Sequence, residues 1–275
     1  MDAAQLEQRR SFLGASEVAA VCGLDPWKTA LDIWGVKKGL IASQGNDATE
    51  MGHLIEPVML GWYARRRGVE LEQPGTLRGS EPWIAATPDS LTREPQRRNV
   101  QVKAVGRHTA HHWDNGAPEY VQVQTQWEMM VAGVEVTDVV ALICSTEPVI
   151  IEVRRDERAI AALLDICREW WQRHIVAGEL PELDDSETAR AILQALHPER
   201  GGMLEAVPEF IEMVMEHERL TADAERIKGE RDHLRNLIRQ CIGSNQGIEW
   251  PGGRVTWKTN KAGERPLRIY VRQQP

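Results

Sequence analysis

The chain has 275 residues, 42% hydrophobic and 27% charged, an ordinary globular balance that excludes disordered and collagen-like classes. Lys plus Arg number 33 against 41 Asp plus Glu, and the formal net charge of -8 argues against coating nucleic acid or anionic membrane by bulk charge. It leaves open a DNA enzyme whose basic groups are local.

The first third reads as helices. A short one is predicted over EVAAVC, capped by Ser16 and stopped at Gly23. A second runs from near Thr29 to Gly39. A third opens at Thr49, carries Met51, Leu54, Ile55, Met59 and Trp62 on its apolar side, and ends at Gly68; Pro57 inside it is expected to kink it or start a new first turn. From residue 69 the period changes. VELEQ, TLRG, WIAAT, SLT and the cleanly alternating NVQVK predict a run of antiparallel strands.

A polar loop with His108, His111 and His112 leads to Pro118, which starts a helix through Gln124, Trp127 and Met130 to Gly133. VTDVVALIC and VIIEV read as buried strands, and a helix from about 156 to 178 closes the unit. The expected class is α/β with an α+β mixed sheet, helices packed against it, in a domain spanning residues 1–185. Residues 186–275 form a C-terminal extension. It has a brief helix at about 187–196, a long helix at about 208–242 and a small hairpin pair. In the long helix Met213, His217, Leu220, Ala224, Ile227, Arg231, Leu234, Ile238 and Cys241 follow alternating steps of four and three. Such a heptad seam fits either packing on its own domain or a coiled coil.

No run approaches the roughly 20 apolar residues of a membrane helix, and the amino end has no signal-peptide pattern. Cys22, Cys144, Cys167 and Cys241 stand far apart, with no CxxC pair. A cytoplasmic protein without zinc cluster or disulfide framework is expected.

Four pieces of sequence bear on chemistry. Glu56 lies within a helix in GHLIEP, and Asp89 follows a strand in ATPDS. Gln101 and Lys103 are two apart in VQVK, so both side chains share one face of their strand. Gln124 sits on the YVQVQ helix. Hydrolysis of a phosphodiester with a divalent metal needs hard oxygen ligands, commonly carboxylates. A neighbouring lysine suits orienting water and offsetting transition-state charge. Singly each residue has an ordinary explanation: a solvated Glu, a turn-forming Asp, a solubilising Lys. Their order and spacing carry the signal.

Together these blocks resemble the phage lambda exonuclease family, the YqaJ-type viral recombinases, within the PD-(D/E)XK nuclease superfamily. LGASEVAAVCGLDPWKTALDIW is similar to the family's opening and GHLIEPVM to its helix-borne glutamate. AATPDSL resembles the PD motif, VQVK the (D/E)XK motif and YVQVQTQWEMMVAGV the glutamine helix. The resemblance covers about Ser11 to Gly133. It implies a restriction-endonuclease-like core and a Mg²⁺-dependent exonuclease, with Mn²⁺ as substitute, degrading duplex DNA ends from the 5′ side. The 3′ tail would go to a single-strand annealing protein, in a phage- or prophage-encoded system. It implies rings of three, whose lining would reconcile the net charge with DNA binding. Glu56, Asp89, Gln101 and the carbonyl of Val102 would be metal ligands and Lys103 the water-positioning base. Arg9 or Arg10, Ser16, Thr87 and Gln124 match the positions that hold a 5′ phosphate. Arg97 and Arg98, in the turn before VQVK, are candidates for DNA backbone contacts.

One position departs from the pattern: residue 101 should be an acid and is Gln. Losing one full charge costs about 2 kcal/mol or more, roughly tenfold in metal affinity. Three explanations stay open: an isosteric substitution that traps an inactive complex, a natural amide as in the QXK motif of the Mrr-type branch, or a pseudo-nuclease that binds ends without cutting. An endonuclease on the same scaffold is a further alternative. Among the remaining candidates, the three histidines line a DNA path or hold a metal, and Arg65, Arg66 and Arg67 complement a helix C-terminus or meet phosphates. Trp27 and Trp34 pack in the core or stack on a DNA end.

Overall fold

In the computed structural model, residues 8–42, 45, 47–93, 95 and 97–272 are described. They fall into two compact units, residues 1–199 and 200–275. The boundary expected at 185/186 therefore moves. The helix at Glu187–Leu196 belongs to the first unit because Ile192 is fully buried in that unit's core.

The first unit opens with α1 (Ala15–Val21), α2 (Ala30–Lys37) and α3 (Asp47–Arg67). Gly14, not Ser16, is the N-cap of α1, and its N–H donates to Oε2 of Glu17 at 2.8 Å. Ser16 lies within the first turn. Thr29, near the expected start of α2, caps it reciprocally with Asp32. Helix α3 runs unbroken through Pro57. Its apolar side is only half used: Met59, Leu60 and Tyr63 are buried, whereas Met51, Leu54 and Val58 are exposed.

Strands β1 (Leu71–Glu72), β4 (Ser90–Thr92), β5 (Asn99–Val105), β6 (Val136–Ile143) and β7 (Val149–Arg154) make one mixed sheet in the order β1-β4-β5-β6-β7. Only β5 and β6 run parallel. The expected antiparallel run is thus divided, because β2 (Leu77–Arg78) and β3 (Ala85–Ala86) pair separately. Strand β6 is buried, but β7 is a half-exposed edge.

The alternation of β5 gives each face its helix. Val100 and Val102 pack with Met59, Leu60 and Tyr63 of α3. Asn99, Gln101 and Lys103 project to the other face, toward α4 (Glu119–Ala132). Beyond α4 lies α5 (Glu157–Trp170), capped by Asp156 and burying Ile160, Leu163, Cys167 and Trp170 at helical spacing. A π-turn at Trp171–Val176 and α6 (Glu187–Leu196) complete this layer. Trp83 stacks on Trp171 at 5.8 Å and tilts against Trp127 at 6.1 Å.

The second unit is α7 (Pro208–Ile242) with the antiparallel sheet β8 (Gly247–Trp250), β9 (Gly253–Trp257) and β10 (Leu267–Val271), the expected hairpin pair sharing its middle strand. Ile242, Val255 and Leu267 form its core. Among the described residues, no helix is long and apolar enough to cross a membrane.

Candidate active site

The site forms where β4 leaves β5. Ser90 pairs with Val100 in the antiparallel register, so Asp89, one residue earlier, falls opposite Gln101. Its Oδ2 accepts two hydrogen bonds, both at 2.7 Å: one from Nε2 of Gln101, the other from the backbone N–H of Val102. Despite these donors, burial pushes the Asp89 carboxyl up to about 6, and the charge of Glu56 adds to the effect. Glu56 thus faces the same ground. It lies seven residues, two helical turns or about 10 Å, before Tyr63, whose hydroxyl donates to Asp138 at 2.5 Å.

Gln101 is only 4% exposed. While its nitrogen serves Asp89, its Oε1 is buried and meets no hydrogen-bond partner among the described residues. An unmet amide oxygen beside a carboxylate, with a second carboxylate nearby, is a hard-oxygen donor set of the kind a divalent cation takes. The described residues contain no cluster of three His, Cys, Asp or Glu side chains suited to a metal. The residues therefore fit a metal only if an amide or carbonyl oxygen supplies the third ligand.

Lys103 extends from the same strand face, and its Nζ donates to Oε1 of Gln124 at 2.7 Å. Nε2 of Gln124 in turn donates to Oε1 of Glu128 at 2.7 Å. Oε2 of Glu128 accepts from Nδ2 of Asn99 at 2.7 Å, which also donates to Thr137 at 3.0 Å. Glu128 is fully buried, and desolvation raises its carboxyl to about 7, with the Asp89 charge next in effect. Sequence reasoning missed Glu128 and Asn99. The available signal was spacing: Glu128 follows Gln124 by four, on the same helix face, as the one acid in an apolar run.

The other sequence candidates separate. Lys37 is buried and ties Arg9 to α1: its Nζ donates to the carbonyl of Arg9 at 2.8 Å and pairs with Glu17 at 2.6 Å. Arg10 stands at Gly39, whose added Cβ would lie 3.0 Å from the guanidinium carbon. Ser16 is exposed, and Thr87 shares a hydrogen bond with Thr76 at 3.0 Å. Arg97 pairs with Glu72 at 2.6 Å. Arg98 is ion-paired within the fold. It sits between Asp138 at 2.7 Å and Glu152 at 2.6 Å. Five residues before Lys103, it also lies about 17 Å away along the strand.

Trp34 is core, its indole N–H donating to the carbonyl of His174 at 2.9 Å. Trp27 is 56% exposed, edge-on to Tyr120 at 5.1 Å and His112 at 6.2 Å. Tyr120 is one turn from Gln124, which puts these rings near the Lys103 contact. His111 and His112 adjoin each other, yet the described histidines form no metal cluster. Of the helix-end arginines, Arg67 approaches Asp138 at 3.8 Å.

Residues 5–135 match the model of the YqaJ-like viral recombinase domain. The chain is 26% identical to YqaJ, an uncharacterized protein of Bacillus subtilis (strain 168), over 201 residues. That match covers 70% of this chain and 63% of YqaJ, under two thirds of the relative's length. Among solved structures, the alkaline exonuclease LHK-Exo from Laribacter hongkongensis superposes with a TM-score of 0.54 in complex with dAMP, and 0.51 in a second structure. Identity is 18% in both; 62% of this chain and 91% or 90% of the exonuclease are covered. At that identity the likeness establishes the fold. Residues 5–135 are thus similar to the YqaJ-like viral recombinase domain and to YqaJ, and the chain shares the fold of the alkaline exonuclease LHK-Exo.

Proposed function

We propose that this chain is a divalent-metal-dependent DNA exonuclease that resects linear duplex ends from the 5′ side. It would leave a 3′ strand for an annealing protein, in the cytoplasm of a bacterium carrying a phage or prophage. The observation that carries the reading is the unmet, buried Oε1 of Gln101 beside Asp89, with Lys103 on the same strand face. Glu56, Asp89, Oε1 of Gln101 and the carbonyl of Val102 would hold Mg²⁺, or Mn²⁺ in its place. When bound, the metal supplies Lewis-acid polarisation of the phosphate and a more acidic water.

The chain's own groups do the rest. Two donors hold Asp89 in place, so its remaining oxygen is pre-oriented. Gln124, braced by Glu128, fixes the Lys103 ammonium, which positions an attacking water and offsets charge on the phosphorane-like transition state. Arg9 or Arg10, with Ser16, Thr87 and Gln124, would receive the 5′ phosphate. A ring of three copies, as in the family resemblance, would enclose the duplex.

A specific observation favours a second reading, an end-binding subunit with a degenerate site: Nε2 of Gln101 occupies Asp89 as a hydrogen-bond donor, where a carboxylate would have joined Asp89 on a cation. Digestion of linear 5′-phosphorylated duplex DNA with Mg²⁺ or Mn²⁺, by the parent chain and Gln101→Glu, separates the two. Cutting by both supports the exonuclease as written. Cutting by the Glu form alone assigns the silence to residue 101. End binding by both without cutting removes catalysis from the proposal.

A further inference from the structure

Helix α7 has 35 residues, a rod about 52 Å long at 1.5 Å per residue. Its own unit covers only its C-terminal turns, where Ile238 and Ile242 meet the sheet of β8, β9 and β10. Before them, Met213, Leu220, Ile227 and Leu234 recur every seventh residue. They remain 64%, 53%, 57% and 58% exposed. A stripe of large apolar side chains at a strict period of seven is the pattern of a supercoiled helix seam rather than of a solvated face. With these residues at d, the a positions are Phe210, His217, Ala224 and Arg231.

The flanking charges identify the occupant. The g positions Asp223 and Glu230 are acidic, and the e positions Lys228 and Arg235 are basic. In a parallel pair each g residue faces the e residue five positions on in the other helix, so Asp223 meets Lys228 and Glu230 meets Arg235. In an antiparallel pair g faces g and e faces e, setting acid on acid and base on base. Within the single chain Asp223 and Glu230 pair with Arg219 and Arg226 along the helix surface. Such exposed pairs are weak and exchange readily. Arg231 at an a position is accommodated in such a parallel seam, because its long side chain reaches the rim beside the partner's acidic g residue.

We propose that α7 docks in parallel on α7 of a second copy of this chain, through the seam from Met213 to Leu234. The pairing is independent of the nuclease reading, since no residue of the candidate active site takes part.

The test uses the full chain with Cys144→Ser and Cys241→Ser, which remove its exposed thiols, and with Met213→Cys added. Oxidation with copper–phenanthroline is expected to yield a two-chain species whose peptide map shows residue 213 joined to residue 213. An antiparallel pair would place residue 213 near the other copy's residue 234, and docking of α7 on its own nuclease unit would leave single chains. Absence of the 213–213 link overturns the proposal in either case. In the same background Glu230→Arg or Arg235→Glu alone is expected to reduce the link about tenfold, and the two together to restore it. Far-ultraviolet circular dichroism checks that each variant keeps its helix. Unchanged yield in the single variants, or no recovery in the double, also overturns it.

Discussion

The side-chain amide of Gln101 donates to Oδ2 of Asp89 at 2.7 Å, so the uncharged member of the site helps hold one of its acids. The amide therefore has two opposed effects: it stabilises the metal-free chain and withholds one charge from a cation.

Replacing Gln101 by Glu removes the donor and sets a second carboxylate against Asp89. The metal-free variant is expected to lose about 2 kcal/mol of stability at pH 8, the scale of a lost hydrogen bond plus like-charge repulsion. Millimolar Mg²⁺ should then raise its melting temperature by several degrees more than that of the parent chain. Thermal melts with and without Mg²⁺ check this. An equal Mg²⁺ shift in both proteins would show that residue 101 is remote from the cation.

Asp89 and Glu128 give the metal-free protein a defined pH dependence. Burial raises Asp89 from 3.8 to about 6 and Glu128 from 4.5 to about 7. Both carboxyls hold their protons more tightly in the folded chain than in the unfolded one. Their stabilising contribution is full below about pH 4 and is lost as pH rises through 6 and 7. For Glu128 the shift corresponds to about 3 kcal/mol at most. Glu128→Gln is expected to remove the upper part of this decline and to stabilise the chain at pH 8 by about 2 kcal/mol. The buried Oδ1 of Asn99, which meets no partner among the described residues, offers the new amide an acceptor. Urea midpoints at pH 5 and pH 8 decide it; a variant weakened at both pH values would contradict this account.

Lys103 presents the opposite case, a residue whose removal should cost activity and little stability. It is only half-buried and, among the described residues, makes one hydrogen bond, to Gln124. Lys103→Ala is expected to reduce Mg²⁺-dependent cutting of linear duplex DNA by about 10²-fold to 10⁴-fold, in whichever form of residue 101 is active. Its unfolding free energy should stay within about 1 kcal/mol. A variant with full nuclease activity would remove Lys103 from the proposed machinery.

Much of this arrangement was legible in the sequence because it depends on local rules. The two-residue spacing of Gln101 and Lys103 set their common face, and Pro118 and Gly133 bracketed α4 to within a residue. Asp89 was identified, but its pairing with Gln101 required the register of β4 on β5, a nonlocal fact. The ion pairs of Arg98 were not legible because nothing near it in sequence announces Asp138 or Glu152, 40 and 54 residues away. Ser16 looked like a cap from its residue type, yet Glu17 satisfies the turn from Gly14. Glu128 escaped notice because an acid in an amphipathic helix is ordinarily solvated, and only tertiary packing reveals its burial.

The unit boundary supplies a last prediction. Helix α6 follows the expected domain end at residue 185, but Ala189 and Ile192 are buried with Leu31 and Trp34 in the first unit's core. The fit is close: a Cβ added at Gly35 would lie 2.6 Å from Cδ1 of Ile192. A chain ending at Glu199 should therefore unfold cooperatively, whereas one ending at residue 185 exposes this surface and should be markedly less stable or aggregate. Ile192→Ala tests the contact within the full chain. Loss of a fully buried isoleucine is expected to cost about 3 kcal/mol, read as a lower urea midpoint at unchanged slope. Equal stability of the chains ending at 185 and 199 would instead put α6 outside the unit, and Ile192→Ala would then be nearly silent.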